Sequence, residues 1–137
     1  VYTWSDHVHE SKYTGTYELS FLTFLDQILD FDPEDVMAPS PHTYYYEYEG
    51  STHFYIPDFF IPSLNLEIEI KEGTNMHPKN LAVDKVKERL KDEVMRTNAN
   101  SFNYLKIVEK ENAKFFVYLD EAKSRFINGD TRPIVMI

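Results

Sequence analysis

The spacing of apolar residues changes several times along the chain, and each change predicts an element. Leu22, Leu25 and Leu29 recur at three and four, with Phe21 and Ile28 beside them. That period predicts a helix over 16–29, opened by Thr14 or Thr16. Residues 1–13 show no period and read as a solvated tail or a short strand. "DFDPEDVMAPSP" (30–41) is a loop by its Pro and Asp content. "TYYYEYEG" (43–50) and "THFYIPDFF" (52–60) read as two strands joined at Glu49-Gly50, a hairpin. "IPSLN" turns again, "LEIEIK" (66–71) is a third strand, and "EGTNMHP" (72–78) is a loop.

A second long helix is predicted over 79–97, with Val83, Val86, Leu90 and Val94 as its apolar face. "FNYLKIV" (102–108) is a fourth strand. "NAKFFVYLDEAKSRF" (112–126) fits a third helix capped by Asn112, with Phe115, Phe116, Leu119, Ala122 and Phe126 inward, against a competing strand over 114–118. The tail "RPIVMI" is apolar enough to pack or pair. The order α-β-β-β-α-β-α predicts an α/β fold: a three-strand meander, then a helical crossover to a fourth strand, giving a mixed sheet with helices on its faces.

Composition narrows the class. The 137 residues suit one domain, and a 42% hydrophobic, 15% aromatic chain can fold around a core. Cysteine is absent, which excludes disulfides and cysteine-ligated zinc and fits a reducing, cytoplasmic compartment. No apolar run approaches the roughly 20 residues of a membrane span, and no signal peptide is visible. Val1 in place of Met points to a piece of a longer chain. The net charge of −9 argues against a nucleic-acid partner, but it is unevenly spread. Residues 1–70 hold one base, Lys12, against thirteen acids, whereas 71–137 hold thirteen bases against ten acids. Such asymmetry can mark a binding surface.

The most hydrophobic stretch poses the chemical question. In "HFYIPDFFIPSLNLEIEIK" (53–71), Asp58 interrupts an aromatic run, and Glu67, Glu69 and Lys71 alternate with Leu66, Ile68 and Ile70. Alternation sends the charges to one face and the apolar residues to the other. The tight turn folds Asp58 back beside Glu69. Convergent carboxylates repel unless a proton or cation lies between them, and hard divalent cations such as Mg²⁺ suit oxygen donors. Lys71 would add a positive charge for a phosphate or a water nucleophile, the combination that phosphodiester hydrolysis uses. The plain alternative is a solvated sheet face with cross-strand ion pairing. Glu18, four residues before Leu22, falls either on the apolar stripe or in an exposed first turn.

Pro57-Asp58 followed by Glu69-Ile70-Lys71, within α-β-β-β-α-β, resembles the PD-(D/E)xK nuclease superfamily over about residues 14–108, a restriction-endonuclease-like core with an extra C-terminal helix at about 112–127. The resemblance implies Asp58, Glu69 and the Ile70 carbonyl as metal ligands, Lys71 as catalytic base or stabiliser, and Glu18 as a first-helix glutamate near the metal. It implies Mg²⁺, with Mn²⁺ substituting, and DNA as partner. "GTYE" (15–18), "YIPDFFI" (55–61) and His77 beyond the third strand resemble the very-short-patch repair and phage homing endonuclease branch, which would make His77 catalytic. The full ExK departs from that branch, and an ordinary loop histidine is the alternative.

Glu67 reads as a neighbour of the site or a solvated residue. Lys79, Lys87 and Lys91 are candidates for DNA-phosphate contact, with Lys85 and Asn75 near them. Interleaved acids offer i,i+4 pairing instead. His7 and His9 lack a further metal ligand, and His42 and His53 read as structural or solvent-facing. The expected function is a metal-dependent DNA endonuclease domain, intracellular and phage- or bacterium-encoded, with a DNA-binding segment elsewhere in the full chain. The alternative is a non-catalytic nuclease-like domain acting in DNA binding or assembly, which the aromatic run Tyr44, Tyr45, Tyr46 and Tyr48 would serve.

Overall fold

Leu66, Ile68 and Ile70 point one way from a central strand and are fully or almost fully buried, and the apolar core forms around them. The structure is a computed structural model that describes residues 1–73, 81–98 and 101–137. The elements are β1 (Tyr2–Thr3), β2 (Glu10–Ser11), α1 (Thr16–Thr23), β3 (Tyr44–Tyr48), β4 (Ser51–Tyr55), β5 (Phe59–Ile61), β6 (Leu66–Lys71), α2 (Leu81–Thr97), β7 (Asn103–Val108), α3 (Lys114–Ile127) and β8 (Val135–Met136). The fold is mixed α/β. A four-stranded sheet runs in the order β5-β6-β7-β8, with β5 antiparallel to β6 and the other pairs parallel. The helical crossover through α2 joins β6 to β7, as the sequence predicts. The apolar tail pairs as β8.

Two layers cover this sheet. Phe21, Leu22 and Leu25 of the first helix and Phe115 and Tyr118 of α3 pack with the Leu66/Ile68/Ile70 face, and Trp4 joins them. On the second cluster, Tyr44, Tyr46 and Tyr55 of the β3–β4 hairpin meet Met95 of α2 and Tyr104 of β7. The charged face of β6 therefore lies beneath a second layer.

Several expectations are corrected. The strand expected over 52–60 is two strands in different sheets: β4 pairs with β3, and β5 with β6. Pro57 lacks an N–H and fixes its φ, so the ladder breaks at Ile56–Asp58 and the chain changes sheets. The three-strand meander is thus a separate hairpin followed by an antiparallel pair. The hairpin turn has φ of 51° at Glu49 and 75° at Gly50, the positive pair a two-residue turn requires. The first helix is α-helical only to Thr23 and continues as a π-helix over Phe24–Ile28, which leaves Ile28 exposed. Val83 is exposed, and Met95 takes the buried place on α2.

On α3 the helical alternative holds and the strand alternative fails. Phe116 and Phe126 are exposed, the latter 87%, because α3 turns only its Phe115/Tyr118 stripe to the sheet. The N-cap is Ala113, and Asn112 instead donates from Nδ2 to Ser20 Oγ at 3.0 Å. Residues 1–13 are neither tail nor single strand. β1 and β2 pair, the Trp4 indole donates to Ser11 Oγ at 2.8 Å, and Tyr2 and Ser5 donate to the buried Asp26 at 2.6 to 2.9 Å.

Candidate functional site

Asp58 stands in the bend between the two sheets, where Pro57 has ended one ladder. Its Oδ2 accepts the Ile70 N–H at 2.8 Å. The Lys71 carbonyl accepts the Glu109 N–H toward β7, so Ile70 faces the other way and its carbonyl shares the Asp58 edge. Glu69, 8% exposed, presents its carboxyl within hydrogen-bonding reach of Asp58, and its Oε1 is buried with no partner among the described residues. Burial and then the Glu69 charge push the Asp58 carboxyl up to about 10, with Glu18 adding a smaller push. Burial likewise raises Glu69, and Glu88 adds to it, against lowering by Asp58, Lys91 and Tyr55. At neutral pH the pair therefore retains a proton unless a cation replaces it.

Glu18 takes the first-turn place of its two expected ones. It is half-buried and accepts from Thr14 N–H at 2.8 Å and Thr14 Oγ at 3.0 Å, reaching back as a first-turn glutamate does. It also lines, with Asp58, Lys12, Tyr13, Pro39 and Ile56, a pocket of about 250 Å³.

Lys71 is half-buried and does not touch the carboxyl pair. Its Nζ lies 3.1 Å from Glu88 Oε2 on α2. Glu88 Oε1 meets Lys106 Nζ at 2.6 Å, and Lys106 reaches Asp92 at 3.1 Å. Lys106 sits on β7 opposite Glu69 and is 7% exposed. Burial opposes its charge, but Glu88 and Asp92 outweigh that and raise it. Burial would raise Glu88 too, yet Lys106 and Lys71 hold it below its ordinary value. Sequence reasoning missed Lys106, Glu88 and Asp92. The signal was present: a lysine inside the apolar run "NYLKIV", and acids at 84, 88 and 92 along one helical stripe.

Glu67 is not solvated. It is 0% exposed, with Oε1 accepting from Ser40 Oγ at 2.6 Å and lying 3.3 Å from His42 Nδ1. His42, expected to be structural or solvent-facing, is structural: it packs on Phe102 with centroids 4.3 Å apart and edge-on to Phe60. Burial and the Glu67 charge raise the nearby Tyr44 phenol. This cluster pins the loop before β3 to the sheet. Ser40→Ala is expected to lower stability by about 1–3 kcal/mol by stripping a donor from a buried carboxylate, measurable by urea denaturation.

Lys87 and Lys91 lie over the Tyr48 and Tyr55 rings, at 5.6 and 5.3 Å from the centroids. His77, Lys79 and Asn75 lie outside the described residues. Of the aromatic run, Tyr44 and Tyr46 are buried and Tyr45 is 64% exposed. His9 pairs with Asp6 and reaches Glu34, at the surface. Among the described residues no group of three or more His, Asp or Glu side chains is arranged to hold a metal. Asp58 and Glu69 are two side chains, and the Ile70 carbonyl would be a third oxygen. An orphaned buried oxygen, mutual repulsion and an all-oxygen donor set suit a hard divalent cation. Also among the described residues, no helix is long and apolar enough to cross a membrane.

Comparison with protein-family models, with curated proteins and with solved structures finds no match for the chain.

Proposed function

We propose that this chain is a metal-dependent DNA endonuclease domain with a PD-(D/E)xK-type, restriction-endonuclease-like core. The observation that carries the proposal is the meeting of two carboxyls, the half-buried Asp58 and the buried Glu69, with Lys71 one alternation beyond Glu69 on the same strand face. Asp58, Glu69 and the Ile70 carbonyl would hold Mg²⁺ or Mn²⁺. A divalent cation held by these oxygens would supply a water of lowered pKa and positive charge to offset that of the transition state. Lys71, ion-paired with Glu88, acts as an ammonium that orients the phosphate or the water, and not as a free amine base. Glu18 closes the acidic side of the neighbouring pocket. Lys87 and Lys91 steer phosphate from α2, and the acidic first half implies weak DNA affinity without a further binding segment.

Plasmid nicking with Mg²⁺ or Mn²⁺ tests the proposal. Cleavage by the parent chain is expected, with loss of about two to three orders of magnitude in Lys71→Ala and partial retention in Lys71→Arg, which keeps the charge. Equal nicking by Lys71→Ala would sink it. A second measurement follows from the raised carboxyls: Mn²⁺ binding at pH 7 is expected to release protons, so its calorimetric heat varies with the ionisation heat of the buffer.

A non-catalytic nuclease-like domain is the second reading, favoured by the engagement of Lys71 with Glu88 and by the exposed Tyr45–Phe54 pair on the hairpin. Stoichiometric Mn²⁺ binding lost in Asp58→Ala would count against an inert site.

A further inference from the structure

Lys71 follows Glu69 by one alternation, so its Cα is roughly 7 Å along the same face. A four-carbon stem spans that distance easily. The Glu69 carboxyl stands along that face, in reach of Asp58, and its Oε1 is buried without a partner among the described residues. Yet the ammonium is held 3.1 Å from Glu88 instead. Glu88 is itself anchored: Lys106 grips its other oxygen at 2.6 Å, and Asp92, one helical turn on, grips Lys106 at 3.1 Å. Two ammoniums and two carboxylates thus balance between α2 and the sheet, leaving Asp58 and Glu69 outside the balance. Lys106 between Glu88 and Asp92 fastens α2 but leaves one negative charge over, and the Lys71 ammonium balances it. The same contact orders a long, half-buried side chain at an entropic cost and fixes its ammonium toward α2.

We infer that Glu88 is the positioning residue of this site: by gripping Lys71 it keeps the ammonium off the Asp58–Glu69 pair and leaves that pair to a divalent cation. The inference rests on the reading of Asp58 and Glu69 as cation ligands. Without Glu88, Lys71 swings to the pair and competes with the cation as an internal counter-ion. Glu88 also contributes plain negative potential, and that effect has to be separated from its grip.

A double-mutant cycle read by calorimetry with Mn²⁺ alone makes the separation. The four chains are the parent, Glu88→Gln, Lys71→Met and Glu88→Gln/Lys71→Met. The parent is expected to bind one Mn²⁺, and Glu88→Gln to bind about tenfold or more weakly. In the Lys71→Met background the same substitution is expected to change affinity by no more than about twofold. Equal weakening in both backgrounds would overturn the inference, since Glu88 would then act only as a nearby charge. No weakening in either would overturn it too, with the cation reading intact. No Mn²⁺ binding by the parent would overturn the cation reading and the inference with it. Should Glu88→Gln not fold, Glu88→Asp, which keeps the charge but shortens the reach, gives the same comparison. At saturating Mn²⁺, Glu88→Gln is expected to lower kcat for plasmid nicking while KM holds.

Discussion

Asp58→Asn is expected to abolish Mn²⁺ binding and lower cleavage by about three orders of magnitude or more, while making the metal-free protein more stable. The two effects share one cause. The half-buried Asp58 and the buried Glu69 face each other, and burial together with the neighbouring charge outweighs the relief that the Ile70 N–H gives Asp58 and that Lys91 and Tyr55 give Glu69. An amide at position 58 can still accept the Ile70 N–H and carries no charge to repel Glu69. The gain is expected at about 1–2 kcal/mol, a rise of about 3–6 °C in Tm, measured in the presence of a chelator. A catalytic site that is destabilising when empty behaves this way. A structural carboxylate would do the reverse, and a fall in Tm would overturn the assignment.

The pH dependence has the matching sign. The folded Asp58 carboxyl sits at about 10 against an ordinary 3.8, so the folded state binds more protons than the unfolded one. The stability it contributes is complete below the ordinary value and is lost as pH rises from there toward about 10. Urea midpoints of the metal-free parent are therefore expected to fall from acid to neutral pH more steeply than those of Asp58→Asn. Saturating Mn²⁺ should flatten the difference.

Lys106→Met is expected to cost about 2–3 kcal/mol of stability, read as a lower urea midpoint with unchanged slope. The substitution leaves Asp92 and one oxygen of Glu88 without their ammonium in a mostly buried place. The figure stands below the full penalty for stranding a buried charge because Glu88 and Asp92 keep 13% and 15% of their side chains in water and Lys71 still holds Glu88. The loss should shrink at acid pH. Glu88 is held below its ordinary 4.5, so its stabilisation is present above that value and lost as pH falls through the lowered one. A neutral result would mean that the network contributes order without net stability.

Much of this was legible in local pattern. The three helices, the β6–β7 crossover and the alternation of "LEIEIK" follow from periods of 3.6 and 2. Those periods depend only on backbone geometry. The failures lie where a neighbour decides. "THFYIPDFF" reads as one strand because its side chains suit one. Pro57 splits it, and the two halves find different partners. Phe116 and Phe126 look like core residues by type, but α3 has only one stripe against the sheet. For Glu67 a solvated place stayed open beside that of a neighbour of the site, because antiparallel sheets commonly expose one face, whereas here the β3–β4 hairpin and α2 cover that face.

The site divides along the same line. Asp58, Glu69 and Lys71 could be picked out from the sequence because charges inside a hydrophobic strand are costly and conspicuous. Their sharing of a face is a matter of period alone. Whether the ammonium lies with the carboxyl pair or with a helix is not local. That choice depends on Glu88, 17 residues beyond Lys71 on α2, which Lys106 also holds. The sequence by itself determined which residues carry charge and on which strand face they stand. The tertiary structure alone decided which charges are paired and which are left buried without a partner, because pairing depends on which elements pack together and on how much water they exclude.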